Sequence, residues 1–255
     1  ASEPMQIQGL PDGFKEGPYA FKHNNKYYLT FPWVQDKTET LAYAMADSPM
    51  GPFTFTGIIM DESPSGCWTN HHSITEYNGQ WYLFYHHNDY SPNFDKNRSA
   101  RIDSLFFNTD GTIKKVKPTL RGVGITDARS KIQIDRYSTI SPYGVTIDYL
   151  EPSNTFEGWQ TLFNRAGTWV TYNKVDFGTT PVKRLKARVR SEKGGAITLR
   201  TPGEKGMTIA ELPIKPTGKW TEISTNVSNA PTSMQDLIIT QTGENPVAVD
   251  WISFE

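Results

Sequence analysis

Glu16 stands directly before Gly17-Pro18, at the head of a stretch (16–31) that reads as strand, tight turn, strand. A carboxyl at the start of a strand that lines an aromatic-walled hollow is stripped of water, and burial of that kind keeps it protonated. A carboxylic acid so held is suited to general-acid work on a leaving oxygen. A turn glutamate, solvated or capping a loop, is the alternative. The equivalent place in the next stretch (70–85) holds Asn70-His71-His72-Ser73. If both stretches aim their first strands at one axis, Glu16 and His71 converge. Imidazole beside a carboxyl suits a metal ligand or a charge-tuning group; a histidine satisfied by backbone carbonyls is the other reading. His86-His87 repeats the pairing, but neither pair has the spacing to Cys or Glu of a zinc motif, which argues against a zinc enzyme. Arg98 can hydrogen-bond sugar hydroxyls or hold a carboxylate ionised, or sit in a surface ion pair. Trp33, Trp68, Tyr90 and Phe94 fall in loops or at strand ends. Flat rings with polar rims suit sugar faces, although core packing accounts for most aromatics of this half.

The elements that must position these groups are strands. Apolar runs are short, alternating, and broken by Gly, Pro, Asn and Asp, and nothing sustains a helical period. Asn24-Asn25 and Asn78-Gly79 mark hairpin turns, since these residues tolerate positive φ. Tyr27-Tyr28-Leu29 and Trp81-Tyr82-Leu83 fall in register 54 residues apart, close to one four-stranded propeller blade. Thr40 to Ala46 reads as a further strand of the first unit. A shorter third unit is expected from Arg101 to Phe107, a turn at Thr109-Asp110-Gly111, and Thr112 to Val116.

The aromatic-rich half ends near Thr126, and domains are expected over 1–126 and 127–255. Strands in the second are expected at Ile132 to Asp135, Val145 to Tyr149, Trp169 to Phe177, Arg184 to Ser191, Ala196 to Arg200, Trp220 to Val227, Asp236 to Gln241 and Ala248 to Phe254. They suggest a two-sheet sandwich. With 255 residues, 36% hydrophobic and 21% charged, there is material for two cores. Net charge is −1, which gives no reason to expect a nucleic-acid or membrane partner. Cys67 is the one cysteine, so no intramolecular disulfide exists and compartment is not legible from cysteine usage. No apolar run approaches a membrane span.

Together the residues of 10–125 resemble glycoside hydrolase family 43. Glu16-Gly17-Pro18 is similar to the opening of that family's third blade, His71 in Asn70-His71-His72-Ser73-Ile74 to its fourth, and Arg98 ahead of Ile102-Asp103 to its fifth, followed by the turn Asp110-Gly111-Thr112-Ile113. The wording of 97–116 is most similar to the arabinofuranosidase and xylosidase branches. The resemblance implies an all-β fold, with about three blades of a five-bladed propeller. It implies Glu16 as catalytic acid and Arg98, His71, Trp33 and Trp68 as substrate-binding. His71 would also hold a channel metal, calcium through water.

Residues 130–255 resemble a family 6 carbohydrate-binding module, a β-sandwich of jelly-roll type. The similar segments are Ile132-Gln133-Ile134-Asp135, Gly167-Thr168-Trp169-Val170, Val175-Asp176-Phe177-Gly178, Thr217-Gly218-Lys219-Trp220 and Val249-Asp250-Trp251-Ile252-Ser253-Phe254. By resemblance, Phe163 and Trp220 sandwich a sugar ring, and Gln133, Asp135 and Asp250 sit near a structural calcium, which oxygen ligands suit. Two departures stand out. Phe163 replaces the usual tyrosine, and Ala248 stands where the family commonly places a sugar-bonding asparagine; Asn245 is near enough to substitute.

The resembled family inverts configuration with an acid and a water-activating base, the base and a tuning aspartate lying on blades one and two. Asp12 is too close to Glu16 to be either. The expectation is therefore the C-terminal portion of an inverting exo-glycosidase on arabinoxylan or xylan. It would be inactive alone, with an N-terminal propeller fragment of the same enzyme and plant cell-wall polysaccharide as partners, in a secreted or periplasmic setting. The alternative is a non-catalytic polysaccharide-binding protein with a degenerate propeller.

Overall fold

The computed structural model describes residues 3, 7–10, 12–90, 95–204 and 206–255. They fall into two units, Ala1–Val123 and Gly124–Glu255. The division lies just ahead of Thr126 because Thr126 and Asp127 pair with Val175 and Asp176, deep in the second unit. No helix is long and apolar enough to cross a membrane.

The first unit holds two antiparallel sheets. One orders β1 (Tyr19–His23), β2 (Lys26–Val34), β3 (Glu39–Ala46) and β4 (Thr54–Met60) side by side. The other is β5 (His72–Tyr77), β6 (Gln80–His87) and β7 (Ser99–Leu105). The expected turns are present: Asn24, Asn25, Asn78 and Gly79 all have positive φ, which joins β1 to β2 and β5 to β6 with two residues each. The first strands of the two sheets, β1 and β5, lie against each other. Tyr28, Leu41, Tyr43, Ile59 and Met60 of the first sheet bury against Ile74, Leu83, Tyr85 and Leu105 of the second. This is a partial β-propeller.

The strands read as a third unit are arranged differently. Arg101 to Phe107 opens no third unit, because β7 pairs along its length with β6, from Ser99 opposite His87 to Leu105 opposite Trp81. Of Thr112 to Val116, a single bridge from Ile113 to Phe107 remains. Asp103 explains the tie: its carboxylate accepts the Tyr85 hydroxyl at 2.6 Å and the Thr119 hydroxyl at 2.7 Å, which fastens the following loop to the second sheet.

The second unit is a sandwich. Its short opening strands are β8 (Thr126–Asp127), β9 (Ile132–Gln133) and β10 (Thr139–Ile140). The long ones are β11 (Val145–Tyr149), β12 (Trp159–Phe163), β13 (Trp169–Asp176), β14 (Arg184–Arg190), β15 (Gly195–Arg200), β16 (Thr208–Ile214), β17 (Thr221–Asn226), β18 (Met234–Gln241) and β19 (Val247–Phe254). One sheet runs β10-β13-β18-β15-β16 with β8 beside β13, the other β11-β12-β19-β14-β17 with β9 beside β19. Leu185, Ala187 and Val189 of β14 face inward and pack with Val249, Ile252 and Phe254 of β19 and Leu237 and Ile239 of β18. Lys186, Arg188 and Arg190 alternate with them on the outer face, as strand pleating requires.

Candidate functional site

Glu16-Gly17-Pro18 leads into β1. Gly17 has φ of 65°, a left-handed conformation that a side chain disfavours. A Cβ there would stand 3.1 Å from His71 Cε1. The glycine is thus needed twice, for the turn and for the imidazole laid over it. That contact brings His71 Nε2 to 3.4 Å from Glu16 Oε1. The two residues expected to converge do so. The expected burial of Glu16 is not found: its side chain is 68% exposed. Among the described residues two strands, β1 and β5, form the wall beside it, and two strands enclose nothing.

His71 is held by groups that sequence reasoning did not single out. The Asn70 N–H donates to Glu39 Oε2 at 2.7 Å, and the His71 N–H donates to His86 Nε2 at 3.1 Å. His72 Nε2 lies 2.6 Å from Thr30 Oγ1. That hydroxyl gives its own proton to the Tyr19 carbonyl, so it accepts from His72 Nε2–H. Three consecutive residues, Asn70 to His72, are therefore clamped by side chains from β3, β6 and β2. The bonds fix the tautomers, with the proton on Nε2 in His72 and on Nδ1 in His86. Burial pushes both imidazoles down to about 4; His71 adds to this for His72, and Arg98, His71 and His87 add for His86. His87 is also pushed down to about 4, chiefly by burial. The one sequence signal for Glu39 is an acid heading an apolar strand, where it ends 3% exposed.

The other expected residues separate. Arg98 is exposed, and its charge reaches His86. The buried arginine is Arg101, paired with Asp89 at 2.7 Å and lying 5.0 Å over the Tyr90 ring. Trp33 is not a sugar-facing ring: it is 8% exposed, packs on Phe55, and donates its indole N–H to the Asp12 carbonyl at 2.8 Å. The β2 alternation turns it into the core. Trp68 is half-buried; its backbone N–H bonds the Asp95 carbonyl and its carbonyl accepts from Glu39 N–H. Phe94 lies outside the described residues. As for a metal at His71, no group of three or more His, Cys, Asp or Glu among the described residues is placed to hold one. Beside the imidazoles stands one carboxylate, Glu16, whereas calcium takes about six to eight oxygens, so this donor set does not fit calcium.

In the second unit Phe163 is fully buried in the sandwich core and cannot stack on a sugar. The β12 register turns Leu162 outward instead, opposite Ala248. Trp220 is half-buried, with the guanidinium carbons of Arg188 and Arg190 at 5.3 and 5.2 Å from its ring centre. Leu162, Arg190, Lys193, Asn245 and Ala248 line a cavity of about 370 Å³. Gln133, Asp135 and Asp250 do come together, with Glu157, around a second cavity of about 330 Å³. Asp250 and Asp135 are buried. Burial raises the Asp250 carboxyl, against the pull of Arg188 at 2.7 Å. These oxygens are of the kind a hard cation takes, but among the described residues no group of three or more His, Cys, Asp or Glu is placed to hold one, and Arg136 and Arg188 already pair with Asp135 and Asp250.

Residues 6–113 match the family model for glycosyl hydrolases family 43, and residues 141–255 match that for carbohydrate binding module family 6. An arabinoxylan arabinofuranohydrolase of Paenibacillus polymyxa is 28% identical over 89% of this chain and 40% of its own length. A beta-xylosidase of Xylanibacter ruminicola is 43% identical over 42% of this chain and 32% of its own. The chain thus spans well under half of these relatives. A solved arabinoxylan arabinofuranohydrolase from Bacillus subtilis, in complex with cellotetraose, shares the fold at a TM-score of 0.58 and 24% identity, covering 94% of this chain and 54% of that one. The first unit thus matches part of a family 43 glycosyl hydrolase, and the second matches a family 6 carbohydrate binding module.

Proposed function

We propose that this chain is the C-terminal portion of an inverting exo-glycosidase that removes arabinofuranose or xylose from arabinoxylan or xylan outside the cell or in the periplasm. The observation that carries the reading is the Glu16–His71 contact at 3.4 Å, built around Gly17 within the family 43 segment. The relatives' printed activities support the substrate class. Glu16 protonates the leaving oxygen. His71 lies against that carboxyl and fixes its direction. An inverting pair stands about 6.5–9.5 Å apart to admit water; the base comes from a further polypeptide segment that completes the ring of blades and covers Glu16. Residues 1–255 alone are then inactive. The sandwich holds the enzyme on polysaccharide, and calcium at Gln133, Asp135 and Asp250 braces its first and last strands. The test is turnover of arabinoxylan by the completed assembly with Glu16→Ala. Loss of nearly all activity is expected. Undiminished turnover would favour the non-catalytic alternative, and activity of purified 1–255 would refute the need for a second segment.

A further inference from the structure

We infer that the cavity lined by Arg190, Lys193 and Asn245 selects a sugar carrying a carboxylate, a uronate. The inference rests on the reading of the second unit as a polysaccharide-binding module and adds the class of sugar.

The outer face of β14 presents Lys186, Arg188 and Arg190 in a row. Glu255 neutralises Lys186, and Asp250 neutralises Arg188. Arg190 is in no ion pair within 4 Å among the described residues, although its charge reaches Glu151. It lies under the Trp220 ring and lines the cavity that Leu162, Lys193, Asn245 and Ala248 also line. Glu192 lines it too, so the wall carries two cations against one carboxylate.

The cavity is about 370 Å³, within the range of small-molecule pockets, about 300–1,000 Å³. A site for a neutral sugar binds hydroxyls through amides and hydroxyls. Here Asn245 offers one amide, and Ala248 opposite Leu162 offers a methyl. The Ser191 hydroxyl is spent on the Gly194 and Pro246 carbonyls, which leaves the Glu192 carboxylate and the two cations, Arg190 and Lys193. A guanidinium matches a carboxylate with two parallel hydrogen bonds, and its planar fork loses little freedom when it does so. The guanidinium of Arg190 is held in place by the Trp220 ring, 5.2 Å from its centre, which keeps the fork oriented for a ligand in the cavity.

The test is calorimetry on residues 1–255 with three probes: a xylo-oligosaccharide bearing one glucuronate, the same compound with its carboxyl reduced to the alcohol, and a galacturonate trimer. The glucuronate probe is expected to bind about tenfold tighter than its reduced form, the worth of one charge-assisted contact. Higher salt should shrink the difference. Arg190→Gln should erase it, and Arg190→Lys should keep part. Since Arg190 is on the surface, both variants are expected to fold, and circular dichroism checks this. The galacturonate probe separates a requirement for any uronate from one for xylan-borne glucuronate. Equal affinity for the acidic and reduced forms overturns the inference while leaving the module a sugar binder. So does a preference that survives Arg190→Gln. Binding of no probe, neutral or acidic, sinks both readings.

Discussion

Lowering pH from 7 to 5 should destabilise the first unit and spare the second. All five histidines lie in the first unit, at positions 23, 71, 72, 86 and 87. His72 and His86 are held neutral at about 4 by burial, against about 6.5 in an unfolded chain. Above pH 6.5 neither state binds the protons, and nothing is lost. Below it the unfolded chain takes them up and the folded one refuses until about pH 4, so stability falls through that window. At pH 5 the loss is about 1.5 units times 1.36 kcal/mol, roughly 2 kcal/mol per histidine and about 4 for the pair. His87 shifts in the same direction. The second unit has no histidine, and its Asp250, raised by burial, moves stability slightly the other way. Urea unfolding followed by hydrogen-exchange mass spectrometry separates the units by peptide. With a urea slope of about 2 kcal/mol per M, the first unit's midpoint should drop by about 2 M. His72→Gln with His86→Gln should abolish most of the drop. A midpoint that stays put, or two units that fall in step, would refute the assignment of these imidazoles as buried neutral acceptors and donors.

Other outcomes follow from single contacts. Glu39→Ala strands the buried Asn70 N–H and should cost the first unit about 1–3 kcal/mol; Glu39→Gln, which can still accept, should cost much less in the same melts. Gly17→Ala should cost about 1–2 kcal/mol for its left-handed φ and shift the His71 ring signal in a carbon-13 histidine spectrum. Phe163→Ala should cost the second unit about 3–5 kcal/mol as a core truncation. Trp220→Ala should instead leave its melting temperature nearly unchanged and weaken sugar binding by calorimetry. Calcium should raise the melting temperature of the second unit and a chelator should reverse it, with Asp250→Asn removing the response.

What was legible in the sequence was local chemistry. Asn24-Asn25 and Asn78-Gly79 announced their hairpins because few other residues accept those φ values. Strands whose pattern is broken were missed. β4 carries Gly57 in its interior and pairs with β3 through two irregular registers. β16 carries Pro213, which an edge strand tolerates because one side of it needs no ladder bond. β12 buries Gln160 and Thr161, so no alternation of apolar and polar residues marks it. Face was the least legible property. A shift of one residue swaps every side chain between core and surface, and family likeness placed Phe163 outward where the β12 register turns out Leu162. For the same reason Trp33 read as a site residue although β2 points it into the core.

The exposure of Glu16 is a consequence of how propellers make a hub. Each blade contributes one innermost strand, and the hollow exists only where several of them converge. Here β1 and β5 supply one wall, and on that wall the preparation is complete without a second. Gly17 clears room for the imidazole, Glu39, His86 and Thr30 clamp the segment that carries it, and Nε2 faces the carboxyl. Three buried side chains from three strands committed to aiming one half-buried histidine are costly to maintain as mere packing, since burying polar groups is expensive. That expense is explained if the carboxyl beside His71 is covered when the ring is whole. A completed assembly in which Glu16 stayed open to solvent would leave the clamp without a purpose.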